Sequence, residues 1–475
     1  MKVLYCASEG LPFIMSGGLG DVAGALPKAI KNRRVACRVV LPLYGDIPQE
    51  YREKMTFVTH FEVPVGWRNQ YCGVFQININ GVIYYLLDNE YYFKRKGIYG
   101  FYDDGERYAF FSRAILEMLN HIDFEPDIIH TNDWQTALVN VYINLYYRHI
   151  AKFYSIKTLF TIHNIQYQGK YGTDILEDTL GISKQDAPLL EYKNCINFMK
   201  GAIECADKVN TVSPTYAKEI LDPWFGHGLD SFLYHKQYKL CGIVNGIDTV
   251  RYNPEKDINI PANYKASNYK DGKTVAKIEL LNEFNLENNG SPLVAMVTRL
   301  VSHKGVDLVQ HVAEYIINAG MQLLVLGNGD YEYETFFNRL ASNYPGKVAF
   351  YQGFKPSLAH KIYAGADMFL MPSKSEPCGL AQMVALRYGT IPIVRETGGL
   401  SDTISDCGDN MGNGFTFKSY NAHDMLDACI RAKDAYYNAE KWDTLIVKGM
   451  KEDNSWSKSA KEYIDLYEEM LTLWN

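Results

Sequence analysis

Short apolar runs of strand length alternate with amphipathic stretches of helical spacing along most of this chain. In the first half the apolar runs are KVLYCA, CRVVLPL, GVIYYLL, DIIHTND, TLFTIHN and KVNTVS. Between them RYAFFSRAILEMLNHI and SPTYAKEIL carry helical patterns, and Ser213 with Pro214 suits an N-cap followed by a first helical position. A second series follows: GIVNGI, PLVAMVTRL, QLLVLGNG, KVAFYQGF, DMFLMPS and TIPIVRET. Strands alternating with helices predict parallel α/β layers. The junction CGIVNGIDTVRYNPEKD and the polar YKASNYKDGK place a boundary near residues 240 to 250, giving Rossmann-like domains at 1–241 and 242–455. The remainder, 456–475, puts Ala460, Tyr463, Ile464, Tyr467, Met470, Leu471 and Trp474 on one helical stripe, which predicts a helix packed on a core. Open α/β sheets bind ligands at the carboxyl ends of their strands, so polar residues at strand ends are the ones to follow.

Composition narrows the class. A 475-residue chain that is 47% hydrophobic and 22% charged is a globular protein of more than one domain. Its formal net charge of -7 argues against broad nucleic-acid binding, so any basic site must be local. The nine cysteines are scattered without a C-x-x-C, which fits reduced thiols better than a disulfide framework or a zinc site. No apolar stretch reaches the length of a membrane span, and MKVLYCASEG breaks too early for a signal peptide. The expected compartment is the cytoplasm.

The candidate chemistry sits at strand ends. FIMSGGLGDVAGALPKAI (residues 13–30) reads as turn and helix start, the usual way to present a phosphate to backbone N–H groups, yet Met15 and Ser16 stand where a cation would help. TRLVSHKG puts Arg299 and Lys304 in one loop, a fork of donors and a mobile point charge suited to a diphosphate; isolated surface charge is the plain alternative. In PSKSEPCGLAQMVALRYGT, Glu376 precedes Pro377, a residue favoured at the first helical position, and the N–H groups of Cys378, Gly379 and Leu380 are placed to face an anion or sugar hydroxyls. TIHNIQYQG ends a strand with His163, and HTNDWQTAL ends one with Asp133 and Trp134; a satisfied core histidine and a helix cap are the plain alternatives. No D-x-D occurs, and Asp103–Asp104 in a Gly-rich loop reads as solvated. With that metal–diphosphate arrangement missing, any diphosphate that leaves here has to be stabilised by protein cations.

Together these stretches resemble the bacterial glycogen synthase and plant starch synthase family, retaining glucosyltransferases of the GT-B fold, two Rossmann-like domains facing each other across a deep cleft. The resemblance covers essentially the whole chain, through GGLGDVAGALPKA, HTNDWQTAL, TIHNIQYQG, VSPTYAKEI, NGIDTVRYNP, TRLVSHKG, SEPCGLAQ and RETGGLSDT in the family order. It implies transfer of glucose from ADP-glucose to the nonreducing end of an α-1,4-glucan primer such as glycogen, with no cofactor or metal. By that resemblance Glu376, His163, Arg299 and Lys304 are the catalytic set. Gly18, Asp21, Asn245, Phe354, Cys378, Gly379, Leu380 and Thr397 line the donor, with Phe354 against adenine. Glu9, Tyr99, Asp133 and Trp134 face the acceptor or the donor glucose. The family also implies a cleft that closes to expel water, and a final helix that crosses back onto the N-terminal domain.

Two departures matter. Family members often carry Lys-Thr-Gly-Gly-Leu where this chain has Met15-Ser16-Gly17-Gly18-Leu19, and the second glutamate of the broader E-x7-E pattern is Val384 here. The first opens three outcomes: an ADP-glucose enzyme, one preferring UDP-glucose, or a weakly active glucan-binding homologue. A nicotinamide-dependent dehydrogenase fits the α/β pattern but lacks the dinucleotide fingerprint.

Overall fold

The computed structural model of the chain describes residues 1–409 and 412–472. They gather into two compact units: Met1–Val212 with Ala217–Ile243 and the segment from Trp456, and Ser213–Tyr216 with Val244–Ser455. The change-over at 243/244 differs slightly from the expected 241/242, because Leu240–Gly242 is still a strand of the first sheet. Ser213–Tyr216 joins the second unit because the Asp402 carboxylate accepts from Ser213 Oγ at 2.5 Å, Thr215 N at 3.0 Å and Thr215 Oγ1 at 2.7 Å. Ser213 still caps its helix, accepting from Tyr216 N at 2.9 Å.

The first unit holds strands β1 (Lys2–Cys6), β2 (Ala36–Pro42), β3 (Thr56–Val65), β4 (Arg68–Ile79), β5 (Val82–Asp88), β6 (Ile128–Asn132) and β7 (Lys157–Ile162). Three short strands, β8 (Lys170–Tyr171), β9 (Glu191–Tyr192) and β10 (Cys195–Asn197), form a separate antiparallel sheet, and β11 (Lys208–Thr211) and β12 (Leu240–Gly242) complete the main one. Its order is β12-β11-β7-β6-β1-β2-β5-β4-β3. The pairs from β12 to β5 are parallel, and the central strand β1 buries Val3, Leu4 and Tyr5 completely, which is why it reads as an unbroken apolar run. Strand β4 runs antiparallel to β5, and β3 antiparallel to β4, a departure from the expected all-parallel layer. Their outer residues, including Phe57, His60 and Tyr71, leave one face toward water, so polar alternation hid them from a search for apolar runs.

Two other expectations change in this unit. GIVNGI is no strand of the second sheet: beyond Gly242 only Ile247 makes an isolated bridge, to Ser455. Asp103 and Asp104 are not solvated: Asp103 pairs with Arg95 at 2.6 Å, and Asp104 pairs with the fully buried Arg107 at 2.5 Å. The helix Gly18–Asn32 turns Leu19, Val22, Ala23, Leu26 and Ile30 inward. Against it packs the C-terminal helix Trp456–Thr472, burying Ala460, Tyr463, Tyr467 and Met470, with Trp474 outside the described residues.

The second unit holds β13 (Leu293–Val297), β14 (Gln322–Gly327), β15 (Val348–Gln352), β16 (Met368–Met371), β17 (Ile391–Arg395) and β18 (Phe415–Phe417), all parallel, in the order β15-β14-β13-β16-β17-β18. Numbered within the unit, that is 3-2-1-4-5-6, the Rossmann order. Among the described residues no helix is long and apolar enough to cross a membrane, and none of the nine cysteines is disulfide-bonded.

Candidate active site

Doubly wound sheets open a crevice where the strand order reverses, because helices leave the two neighbouring strands toward opposite faces. In the first unit that point lies between β1 and β6. The loop after β1 carries Glu9 and runs to Gly17, the N-cap of helix Gly18–Asn32. Glu9, only 4% exposed, accepts from the backbone N–H groups of Ser16 and, at 3.2 Å, of Gly17. The glycine turn therefore uses two donors, Ser16 and Gly17, on the protein's own carboxylate, and Gly20 N turns back to Gly17 O at 3.2 Å; among the described residues the N–H groups of Gly18 and Leu19 make no hydrogen bond. A side chain at Gly18 would meet nothing within 4 Å, so that position opens on free space. Asp21 lies in the same first turn, where the helix dipole favours an acid.

Past β6, Asp133 holds a left-handed conformation, φ +55°, that few non-glycine residues adopt. Its carboxylate repays that strain by accepting from His163 N at 2.7 Å and Asn164 N at 3.4 Å, so it ties the end of β6 to the end of β7. This replaces the helix-cap alternative: no cap bond to its own helix is made. His163 Nε2 meets Asn132 Oδ1 at 2.9 Å, and Ser8 Oγ meets Tyr99 Oη at 2.7 Å. Trp134 packs edge-on to Tyr108, ring centroids 5.1 Å apart. Burial raises the Glu9 carboxyl to about 7, opposed by the N–H groups of Ser16 and Gly17. Burial likewise raises Asp133 to about 7 and lowers His163 to about 3. At neutral pH this half carries an uncharged imidazole and two carboxyls near their midpoints, a surface suited to hydroxyl groups rather than anions.

The second unit reverses order between β13 and β16, and the loops after these two strands carry the cations and the carboxylate. Lys304 Nζ lies 2.6 Å from Glu376 Oε2, which also accepts from Ser373 Oγ at 3.0 Å. The two loops touch directly, Lys374 N donating to His303 O at 2.9 Å. Gly305, φ +73°, permits this approach: a Cβ there would lie 2.0 Å from Pro372 O. Arg299 stands exposed in the same loop as Lys304. The helix expected from Pro377 begins only at Ala381; residues 377–380 form an irregular turn with Gly379 at φ +70°. The N–H groups of Cys378, Gly379 and Leu380 are thus free of helical geometry and follow the turn instead. Gln382 holds that turn, its Nε2 donating to Cys378 O at 3.2 Å, Gly379 O at 2.9 Å and Thr403 Oγ1 at 3.1 Å.

The remaining predicted positions divide by exposure. Asn245 is buried beside Cys378, whose thiol burial pushes up to about 12, and the Asn245 Oδ1 is buried without a hydrogen-bond partner. Leu380 precedes the helix Ala381–Arg387 as its N-cap residue, and Thr397 is the fully buried N-cap of helix Gly398–Thr403. Phe354 is 67% exposed in the loop after β15, a free ring face at a strand's carboxyl end. Three residues that touch these groups were missed in the sequence: Asn132, Ser373 and Gln382. Each lies inside a quoted motif, but nothing in local spacing distinguishes a side chain that supports a site residue. Among the described residues no group of three or more His, Cys, Asp or Glu is placed to hold a metal ion.

Comparison with known proteins places this geometry. The family model for the starch synthase catalytic domain matches residues 2–235, and that for glycosyl transferases group 1 matches residues 277–444. A glycogen synthase of Geobacillus thermodenitrificans is 49% identical over 99% of this chain and 98% of its own length. One of Bacillus anthracis is 48% identical over 99% of this chain and all of its own. Among solved structures, the catalytic domain of starch synthase IV from Arabidopsis thaliana, bound to ADP and acarbose, superposes with a TM-score of 0.90 at 33% identity, covering 99% of both chains. The chain therefore belongs to the glycogen synthase and starch synthase family, glucosyltransferases of the GT-B fold.

Proposed function

We propose that the donor of this glycogen synthase activity is ADP-glucose and that glucose passes with retention to the nonreducing end of an α-1,4-glucan. The observation that carries the reading is the second unit's Lys304–Glu376 pair, 2.6 Å apart at the strand-order reversal with Arg299 in the adjoining loop. A cation that can turn to a diphosphate and a carboxylate that can accept from sugar hydroxyls are what a sugar nucleotide needs. ADP in the Arabidopsis starch synthase structure supports the adenine nucleotide over the uridine one.

In this reading the bond from the glucose C1 to the diphosphate breaks as the acceptor hydroxyl oxygen bonds C1 from the same face. The departing phosphate takes that hydroxyl's proton, so no carboxylate pair of glycosidase type is required. Arg299 and Lys304 stabilise the leaving charge, and the reaction needs no cofactor. Glu376 and the N–H groups at 378–380 hold the glucose, with His163 and Asn245 against it. Glu9, Tyr99, Asp133 and Trp134 face the sugars, Asp21, Gly18 and Thr397 the phosphates, and Phe354 the adenine. The protein acts in the cytoplasm on a small nucleotide sugar and a glycogen primer.

Side-by-side initial rates with ADP-glucose and UDP-glucose on glycogen test the donor. ADP-glucose is expected to be the faster by an order of magnitude or more; equal rates or a UDP-glucose preference would refute it. Arg299→Ala and Lys304→Ala are each expected to lose roughly 10²–10³ in kcat with the fold intact. Near-normal turnover in both would remove the cation clamp.

A further inference from the structure

The side chain of Asn132 is wholly buried, and its surroundings determine which way its amide points. Nδ2 lies 3.0 Å from the carbonyl oxygen of Cys6 and 3.4 Å from that of His130. Carbonyl oxygens only accept, so the amide nitrogen must occupy this side; a flipped amide would set oxygen against two oxygens. Oδ1 therefore faces the other way, where it accepts from Tyr5 Oη at 3.0 Å and stands 2.9 Å from His163 Nε2. An acceptor that cannot donate requires a proton on Nε2. A neutral imidazole protonated there has a bare lone pair on Nδ1.

The backbone is held to the same end. Asn132 N donates to Thr136 Oγ1 at 2.7 Å, and the neighbouring Asp133 carboxylate accepts from His163 N at 2.7 Å. One residue of β6 thus fixes the ring and the next fixes the main chain that carries it. Among the described residues no hydrogen bond is made by His163 Nδ1.

We propose that Asn132 is a positioning residue that holds His163 in the Nε2-protonated tautomer, so that the ring presents its Nδ1 lone pair to a hydroxyl of the donor glucose and rejects phosphate oxygens. The substrate half of this statement rests on the donor reading above. A lone pair accepts a hydroxyl proton but repels the oxygens of a diphosphate, so the same ring sorts the sugar end of the donor from its phosphate end. Burial, which depresses protonation of this imidazole, keeps it from becoming a two-donor cation that would lose the distinction.

The test is ¹⁵N NMR of the full-length chain labelled at histidine imidazoles, with His163 assigned by loss of its signals in His163→Gln. At pH 7 a pyrrole-type Nε2 and a pyridine-type Nδ1 are expected, and ADP-glucose should move Nδ1 toward a hydrogen-bonded position further than ADP does. Asn132→Ala should mix the tautomers and lower kcat about tenfold, one neutral hydrogen bond's worth. Asn132→Asp, protonated on the oxygen that faces the Cys6 and His130 carbonyls and so keeping an acceptor oxygen against Nε2, should restore the tautomer. A proton on Nδ1, a charged ring, or a tautomer unchanged in Asn132→Ala would overturn the positioning role. An Nδ1 resonance unmoved by ADP-glucose that the enzyme turns over would overturn its contact with the sugar. Failure of the donor reading looks different: no turnover of ADP-glucose at all, with the tautomer as stated.

Discussion

Gly399→Ala probes how tightly Glu376, the carboxylate proposed to hold the donor glucose, is positioned by the helix Gly398–Thr403. A Cβ at Gly399 would lie 2.2 Å from Cys378 O and 2.6 Å from its carbonyl carbon. Non-bonded heavy atoms settle near ~3.5 Å, so the 376–378 segment and the Gly398–Thr403 helix must part by about 1 Å. Gly399 N also donates to the oxygens of Glu376 and Pro377, both at 3.2 Å, so the parting strains the two bonds that set Glu376 in place. A displacement of about 1 Å in a reacting constellation costs on the order of 10²-fold, about 3 kcal/mol of barrier. Overpacking by one methyl costs about 1–3 kcal/mol of stability, less than a folded unit holds in reserve. Glycogen-dependent ADP release from ADP-glucose should therefore fall about 10²-fold in kcat/KM, in a protein that still melts cooperatively. Activity within threefold of the parent would refute the argument, since the carboxylate would then tolerate the shift.

Glu9 should make stability depend on pH in the unusual direction. An ordinary carboxyl loses its proton near 4.5, whereas burial holds that of Glu9 to about 7. Between those values the folded chain binds more protons than the unfolded one, so this contribution, about 3 kcal/mol at most, is complete below ~4.5 and is lost as pH rises through 7. Glu9→Gln should consequently gain in melting temperature over the parent between pH 5 and pH 8; a pH-independent difference would contradict it. Arg107→Ala removes the partner of Asp104 and donors to Tyr92 O at 2.8 Å and Ile98 O at 3.2 Å, and should cost about 3–5 kcal/mol, read as a lower denaturant midpoint. Met15, 43% exposed, has room for the family's longer cation: Met15→Lys should lower KM for ADP-glucose by up to about fivefold, and unchanged kinetics for donor and primer would mean the turn needs no charge.

Local pattern sufficed for much of the site because its parts are short-range. Apolar runs marked eleven of the strands' neighbourhoods along the chain, from β1 through β17, as in KVLYCA and TIPIVRET, and the polar residues closing those runs include Glu376, Lys304, Asp133 and His163. The quoted motifs also sufficed for the family. What the pattern could not give is which run neighbours which. GIVNGI has the apolar content of a strand, yet Leu240–Gly242 pairs with β11 and beyond it only Ile247 makes an isolated bridge, to Ser455, so the run joins no strand of the second sheet. Strands β3 and β4 were lost for the opposite reason, since one-sided burial leaves an alternating sequence.

The sequence by itself determined the α/β class, the two-unit division to within a few residues, and the chemical identity of the groups at strand ends. Each follows from periodicity or composition over a window of some ten to twenty residues. Only the tertiary structure decided the strand orders, and with them that Lys304 meets Glu376 across seventy-two positions of chain and that Asn132 meets His163 across thirty-one. It also decided charge: Glu9, Asp133 and His163 depart from ordinary titration because of burial, a property of everything packed around a residue and of nothing beside it in the sequence.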